Sequence, residues 1–187
     1  MTRDGARMTE ATFAVLDKIY KDTSLPEGWL GMKDQAYSNA YLRAAAQAYH
    51  ANDYATAKAS LAEAVRLNPL LIENEAELLS KRLAAIADSP KSGDPLAYLE
   101  NVYSNLPDSL HILQERRGRD LGQVAMRMAY ASHKQGDISS ARQAVYRAFL
   151  YHPAWLANRG ALSIFIRSWL RTAYPNPENN KPRRVSK

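Results

Sequence analysis

Apolar residues recur at spacings of three and four along most of the chain, and polar breaks divide it into a series of predicted helices. Met8, Thr12, Val15, Leu16 and Ile19 form one stripe on a predicted helix over 8–21, which ends at the turn-rich Asp22-Thr-Ser-Leu-Pro-Glu-Gly. Helices over 32–50 and 54–67 follow, with small residues at Ala44, Ala45, Ala48, Ala57 and Ala64 that let paired backbones approach closely. Past Pro69, the residues Leu71, Leu78, Leu79, Leu83 and Ile86 predict a helix to about Ala87, with Glu73, Glu75 and Glu77 in its first turns. Carboxylates there meet the positive end of the helix dipole. Asp94-Pro95, a capping aspartate before a proline, opens a helix to about Asn105. A short helix over 109–114, a basic junction at Glu115-Arg-Arg-Gly-Arg, and helices over 121–135, 138–151 and 155–173 complete the series. No series of segments alternates at period two, so a sheet has nothing to form from.

Two blocks of this series match without an insertion. Ala45, Asp53, Tyr54, Ala57, Leu61, Ala64 and Pro69 in the first, 41–69, fall where Ala129, Asp137, Ile138, Ala141, Val145, Ala148 and Pro153 fall in the second, 125–153. Each reads as helix, tight polar turn, helix, proline. The pattern resembles the tetratricopeptide repeat, which implies an all-α fold of helical hairpins stacked in a short right-handed solenoid with a C-terminal capping helix. The first block supplies Tyr41, Ala44-Ala45, Tyr49, Ala57, Leu61 and Pro69, with the second aromatic displaced by one, and the later block lacks both aromatics. The expectation is a single helical repeat domain over 1–174 with divergent helices between the blocks.

Much of the net charge of +6 is local to a tail over 175–187, where Lys181, Arg183, Arg184 and Lys187 sit among Pro and Asn, a composition expected to be disordered. The remaining body is nearly balanced, which argues against a nucleic-acid groove. The chain has no cysteine, so disulfide and thiolate chemistry are excluded and a reducing compartment is compatible. The start reads as no secretory signal, and the apolar run near Ala161 to Ile166 is too short to span a bilayer. The expected location is the cytoplasm, with the inner face of the membrane as a peripheral option.

A narrower resemblance is carried by His152-Pro153-Ala-Trp155-Leu156-Ala-Asn158-Arg159-Gly160-Ala-Leu162-Ser163, with Ala40-Tyr41-Leu42-Arg43-Ala44 and Arg7-Met8 through Asp17. These stretches are similar to the helical region after the catalytic domain in bacterial family 2 glycosyltransferases. The resemblance implies an accessory module of an enzyme that uses nucleotide sugars. The Asp-x-Asp element of the family's catalytic part is absent, since no two aspartates here are separated by one residue.

The histidines His50, His111, His133 and His152 lack the spacing of a helical zinc site, and Arg117-Gly-Arg-Asp-Leu-Gly122 lacks the glycines of a phosphate cradle. No catalytic residue, metal site or cofactor is therefore assigned. The candidate site is a partner-binding groove on the first helix of each block. Arg43 and Arg127 are equivalent, with Tyr49 and His50 on the first helix and Tyr130, His133 and Lys134 on the second. Arg127, Tyr130 and Lys134 share one helix side and could hold an acidic peptide or a carboxylate. In the last helix, Arg159, Ser163, Arg167 and Arg171 oppose Trp155, Leu162, Phe165, Ile166 and Trp169. Its apolar side is expected to cap the array rather than to lie in a membrane. The expected function is protein interaction, by docking on a glycosyltransferase catalytic domain or, alternatively, as a free-standing adaptor for an acidic peptide.

Overall fold

The computed structural model describes residues 3–22 and 24–173, with side chains described for all of these except 3–6, 91 and 168–173. The regular elements among the described residues are all helical. They are α1 (Arg3–Tyr20), the single turn α2 (Glu27–Leu30), α3 (Lys33–His50), α4 (Tyr54–Leu67), α5 (Glu73–Ala87), α6 (Pro95–Ser104), α7 (Ile112–Lys134), α8 (Ile138–Tyr151) and α9 (Arg159–Ala173). The chain divides into two compact units between Arg117 and Gly118, a point inside α7.

Each unit holds one close helical hairpin, α3–α4 in the first and α7–α8 in the second, and local chemistry ends the helices in the same way. Asn52 and Gly136 take positive φ of 56° and 82°, the left-handed geometry that Asn tolerates and Gly adopts freely. Asp53 and Asp137 then cap the second helix by accepting from the backbone N–H of Thr56 and Ser140 at 3.2 and 3.0 Å. Asn68 and His152 close it with nearly equal backbone angles, and Pro69 and Pro153 each begin a 3-10 turn. The inward faces are small: Ala45, Ala57, Leu61 and Ala64 in one hairpin, Ala129, Ala141, Val145 and Ala148 in the other, all almost fully buried. The matched positions of the two blocks are thus matched in conformation.

In the first unit the core continues through Leu79 and Leu83 of α5, Leu96, Leu99 and Val102 of α6, and Leu110 and Leu113. Ser38 in this core donates to the Ala64 carbonyl at 2.7 Å, so its hydroxyl carries no unmet polar cost. In the second unit Leu121, Val124 and Met126 of α7 are buried, as are Ala161 and Ile164 of α9.

Several local expectations change. The α1 stripe lies largely toward solvent: Met8 and Val15 are 51% and 56% exposed. The docked side is Thr9, Phe13 and Tyr20, because rings bury more apolar area than Met or Val and find ring partners on α3. Phe13 lies 4.7 Å from Tyr41 between ring centroids, Tyr20 lies 6.0 Å from Tyr37, and the Tyr37 hydroxyl donates to Asp17. At the start of α5, Asn74, Glu75 and Ala76 have φ of 49°, 58° and 58°, so the right-handed helix begins only beyond them. Glu73 and Glu75 lie in the opening turn of the element, and Glu77 starts its right-handed part. Such a left-handed turn costs about 1–2 kcal/mol per residue, and Leu71 before it and Ala76 within it are buried.

The junction at 115–119 is not a break. It is helical and continuous with residues 112–114 and 121–134 in one helix, α7, while Ser109 and Leu110 belong to a separate 3-10 turn, Asp108–Leu110. Gly118 serves close packing instead, since a Cβ there would meet the Tyr151 carbonyl oxygen at 2.6 Å. Among the described residues of α9 the buried positions are Ala161 and Ile164, Phe165 meets Phe149 edge-on at 5.6 Å, and Ile166, expected inward, is 53% exposed. The helix register about the α8 contact places Ile166 outside. The Trp169 and Arg171 side chains and the tail over 175–187 lie outside the described residues.

Candidate functional site

The first unit presents a groove of about 550 Å³ between one face of α3 and one face of α5. On α3, Asn39, Arg43, Ala46 and His50 recur at three- and four-residue steps, so a single helix side carries them all. On α5 the same spacing brings Arg82, Ala85, Ile86 and, just past its end, Ser89 to the groove, and Met8 of α1 lines its rim. The floor is apolar, from Leu42, Ala46, Ala85 and Ile86.

The charge in this groove is one-sided. Arg43 and Arg82 are both exposed, and among the described residues neither takes part in an ion pair or a hydrogen bond. No Asp or Glu is among its described lining residues. Two other basic side chains of this unit are paired: Arg66 is forked on Glu63 at 2.6 and 2.8 Å, and Lys81 meets Glu77 at 2.6 Å. His50 is held by its ring, 4.4 Å from that of Tyr98. Gln47 accepts from the Thr9 hydroxyl at 2.8 Å, which ties α1 to the groove wall.

Of the residues assigned from the sequence, Arg43 and His50 line this groove. Tyr49 does not: it is 1% exposed and its hydroxyl donates to the Asn105 carbonyl at 2.8 Å, which makes it a core residue. Burial pushes its phenol well above the usual tyrosine range. Position 48, where the repeat pattern would put this aromatic, is Ala48 and is fully buried as well. Arg127, Tyr130, His133 and Lys134 lie on α7 in the second unit, with Arg127 and Lys134 exposed and His133 half-buried. Tyr130 is 44% exposed, and its hydroxyl lies 2.9 Å from where a Cβ on Gly160 would be. Arg82 was missed by sequence reasoning. Its signal was the spacing of Arg82, Ala85, Ile86 and Ser89, hidden because α5 belongs to no matched block.

Among the described residues no group of three or more His, Asp or Glu side chains could hold a metal ion. No helix among them is long and apolar enough to cross a membrane. Comparison with protein-family models, with curated proteins and with solved structures yields no match.

Proposed function

We propose that this chain is a helical interaction module that seats an acidic segment of a partner protein in the Arg43–Arg82 groove. The supporting observation is the pair of guanidinium groups, without carboxylate partners among the described residues, above an apolar floor. Guanidinium groups match carboxylates in a two-point geometry and are strongest where the site sheds water, which the floor of Leu42 and Ile86 promotes. The segment would place one or two carboxylates against the arginines and an aliphatic side chain on the floor. On this reading the two hairpins are tetratricopeptide-like units, and the α3 and α5 faces are the concave side of the first of them.

The second reading names the partner. The stretch from His152 to Ser163 resembles the accessory region of family 2 glycosyltransferases, which makes a nucleotide-sugar-dependent catalytic domain the partner to try first. In that setting the chain itself carries no transfer step.

The test is fluorescence anisotropy with labelled peptides in which Glu alternates with Leu, against peptides with Gln in place of Glu. Each charged pair is worth about 1.5–3 kcal/mol, so Arg43→Glu with Arg82→Glu should weaken the Glu peptide by roughly 100-fold or more. Added salt should weaken the wild type and hardly affect the Gln peptides. Equal binding of the Glu and Gln peptides, or of wild type and the double variant, would sink the groove assignment.

A further inference from the structure

One side of α1 is spent on α3. Thr9, Phe13 and Asp17 meet Gln47, Tyr41 and Tyr37 in that order, so the two helices run antiparallel. Another side of α1 carries Met8, Val15 and Ile19, which are 51%, 56% and 36% exposed. Here a shallow depression of about 320 Å³ is lined by Met8, Ala11, Thr12, Val15 and Leu16.

The first four of these stand at i, i+3, i+4 and i+7, the four-cornered hole that one helix offers to a side chain of another. Its middle corners, Ala11 and Thr12, are small, which leaves room for an incoming leucine. Thr12 donates its hydroxyl to the Met8 carbonyl at 2.8 Å, so that hydroxyl asks nothing of a ligand. Met8 also lines the Arg43–Arg82 groove, and the hole and the groove therefore adjoin. Arg7 and Lys18 are exposed at the far border of the stripe, and among the described residues neither takes part in an ion pair or a hydrogen bond. Glu10 lies farther round α1 from the stripe than either.

We infer that the acidic partner segment binds as an amphipathic helix lying along α1. An aliphatic side chain fills the hole between Met8 and Val15, and a row of carboxylates turns across Met8 toward Arg43 and Arg82. The inference rests on the groove reading for the place of those carboxylates, and it adds the segment's secondary structure and its apolar anchor. A hole of this spacing accepts side chains that recur at three and four, the period of a helix and not of a strand. A helix also shows an apolar row and an acidic row to two adjoining surfaces at once.

The experiment uses the full chain and two labelled peptides of equal composition, each of about eighteen residues, a length that supports a helix. One places Leu at steps of three and four with Glu beside it, and the other alternates Leu and Glu at period two. Fluorescence anisotropy should show the helical spacing binding at least tenfold tighter. Ala11→Leu fills the hole at an exposed position and should weaken that peptide roughly tenfold, the worth of one buried leucine, while leaving the alternating peptide unchanged. A proline at the centre of the helical peptide should weaken it as much, which tests the helix without altering the protein. Equal affinity for the two spacings, full binding by Ala11→Leu, or tolerance of the central proline overturns the inference, and the groove reading survives if the alternating peptide still depends on Arg43 and Arg82. Binding that Ala11→Leu weakens but Arg43→Glu with Arg82→Glu does not would refute the groove reading and support the α1 seat. Self-association of the chain that Ala11→Leu abolishes, read by analytical ultracentrifugation, would assign this face to a second copy and overturn the inference.

Discussion

Replacing Gly118 by Ala sets two opposed effects against each other, and the structure decides which wins. Gly in a helix interior is about 1 kcal/mol worse than Ala, so on propensity alone the change within α7 would stabilise. The new Cβ, however, would stand 2.6 Å from the Tyr151 carbonyl oxygen. That atom is backbone and cannot rotate aside, so α8 must move away from α7. Overpacking of this kind costs about 1–3 kcal/mol. A rigid obstacle belongs in the upper part of that range, which leaves a net loss of about 1–2 kcal/mol after the propensity gain. For a chain of this length that lowers the melting temperature by roughly 2–8 °C. Gly28→Ala is the control, because a Cβ at 28 meets nothing within 4 Å. It should leave the melting temperature unchanged or raise it. Thermal melts followed by circular dichroism at 222 nm compare the three proteins. Gly118→Ala melting at or above the wild type would refute the close α7–α8 approach and with it the second hairpin.

Three further outcomes follow from the same geometry. The hydrogen bond to Asp17 pushes the Tyr37 hydroxyl up to about 12, so the stability it lends is fully present below pH 10 and is lost as pH rises through 12; wild type should lose more stability over that window than Tyr37→Phe in melts at stepped pH, and parallel curves would reject the pairing. The caps Asp53 and Asp137 have carboxyls held below the usual range by hydrogen bonds to Thr56 and Ser140; their contribution is present at neutral pH and fades in acid as pH falls through the lowered values, so Asp53→Ala and Asp137→Ala should each lower the melting temperature at pH 7 and less so at pH 2.5. Leu61, fully buried, should cost about 2–5 kcal/mol when cut to Ala, whereas Leu150, 64% exposed, should stay within about 0.5 kcal/mol; comparable losses by urea denaturation would contradict the assigned packing faces.

Local chemistry made much of this fold legible from the sequence. The turns at Asn52-Asp53 and Gly136-Asp137, the caps on Thr56 and Ser140, and the proline stops at Pro69 and Pro153 all act within a few residues, so the residues on the spot suffice. The α4 and α8 boundaries, Tyr54–Leu67 and Ile138–Tyr151, followed from them directly. The all-α class followed from spacing, and so did the shared side of α3 that carries Arg43 and His50 to the groove.

What the sequence left undecided depended on partners distant in the chain. Whether α1 would bury Met8 and Val15 or Phe13 and Tyr20 rested on the rings of Tyr37 and Tyr41 waiting on α3. Whether Gly118 would break a helix or admit a neighbour rested on Tyr151, and whether Tyr49 would face the groove rested on the Asn105 carbonyl. Arg82 joined Arg43 only because α5 packs where it does. Helix periodicity fixes which residues share a side, since that is a property of one backbone. Which side is covered is a competition in buried area and hydrogen bonding among elements far apart in sequence, and only the tertiary structure settles that competition.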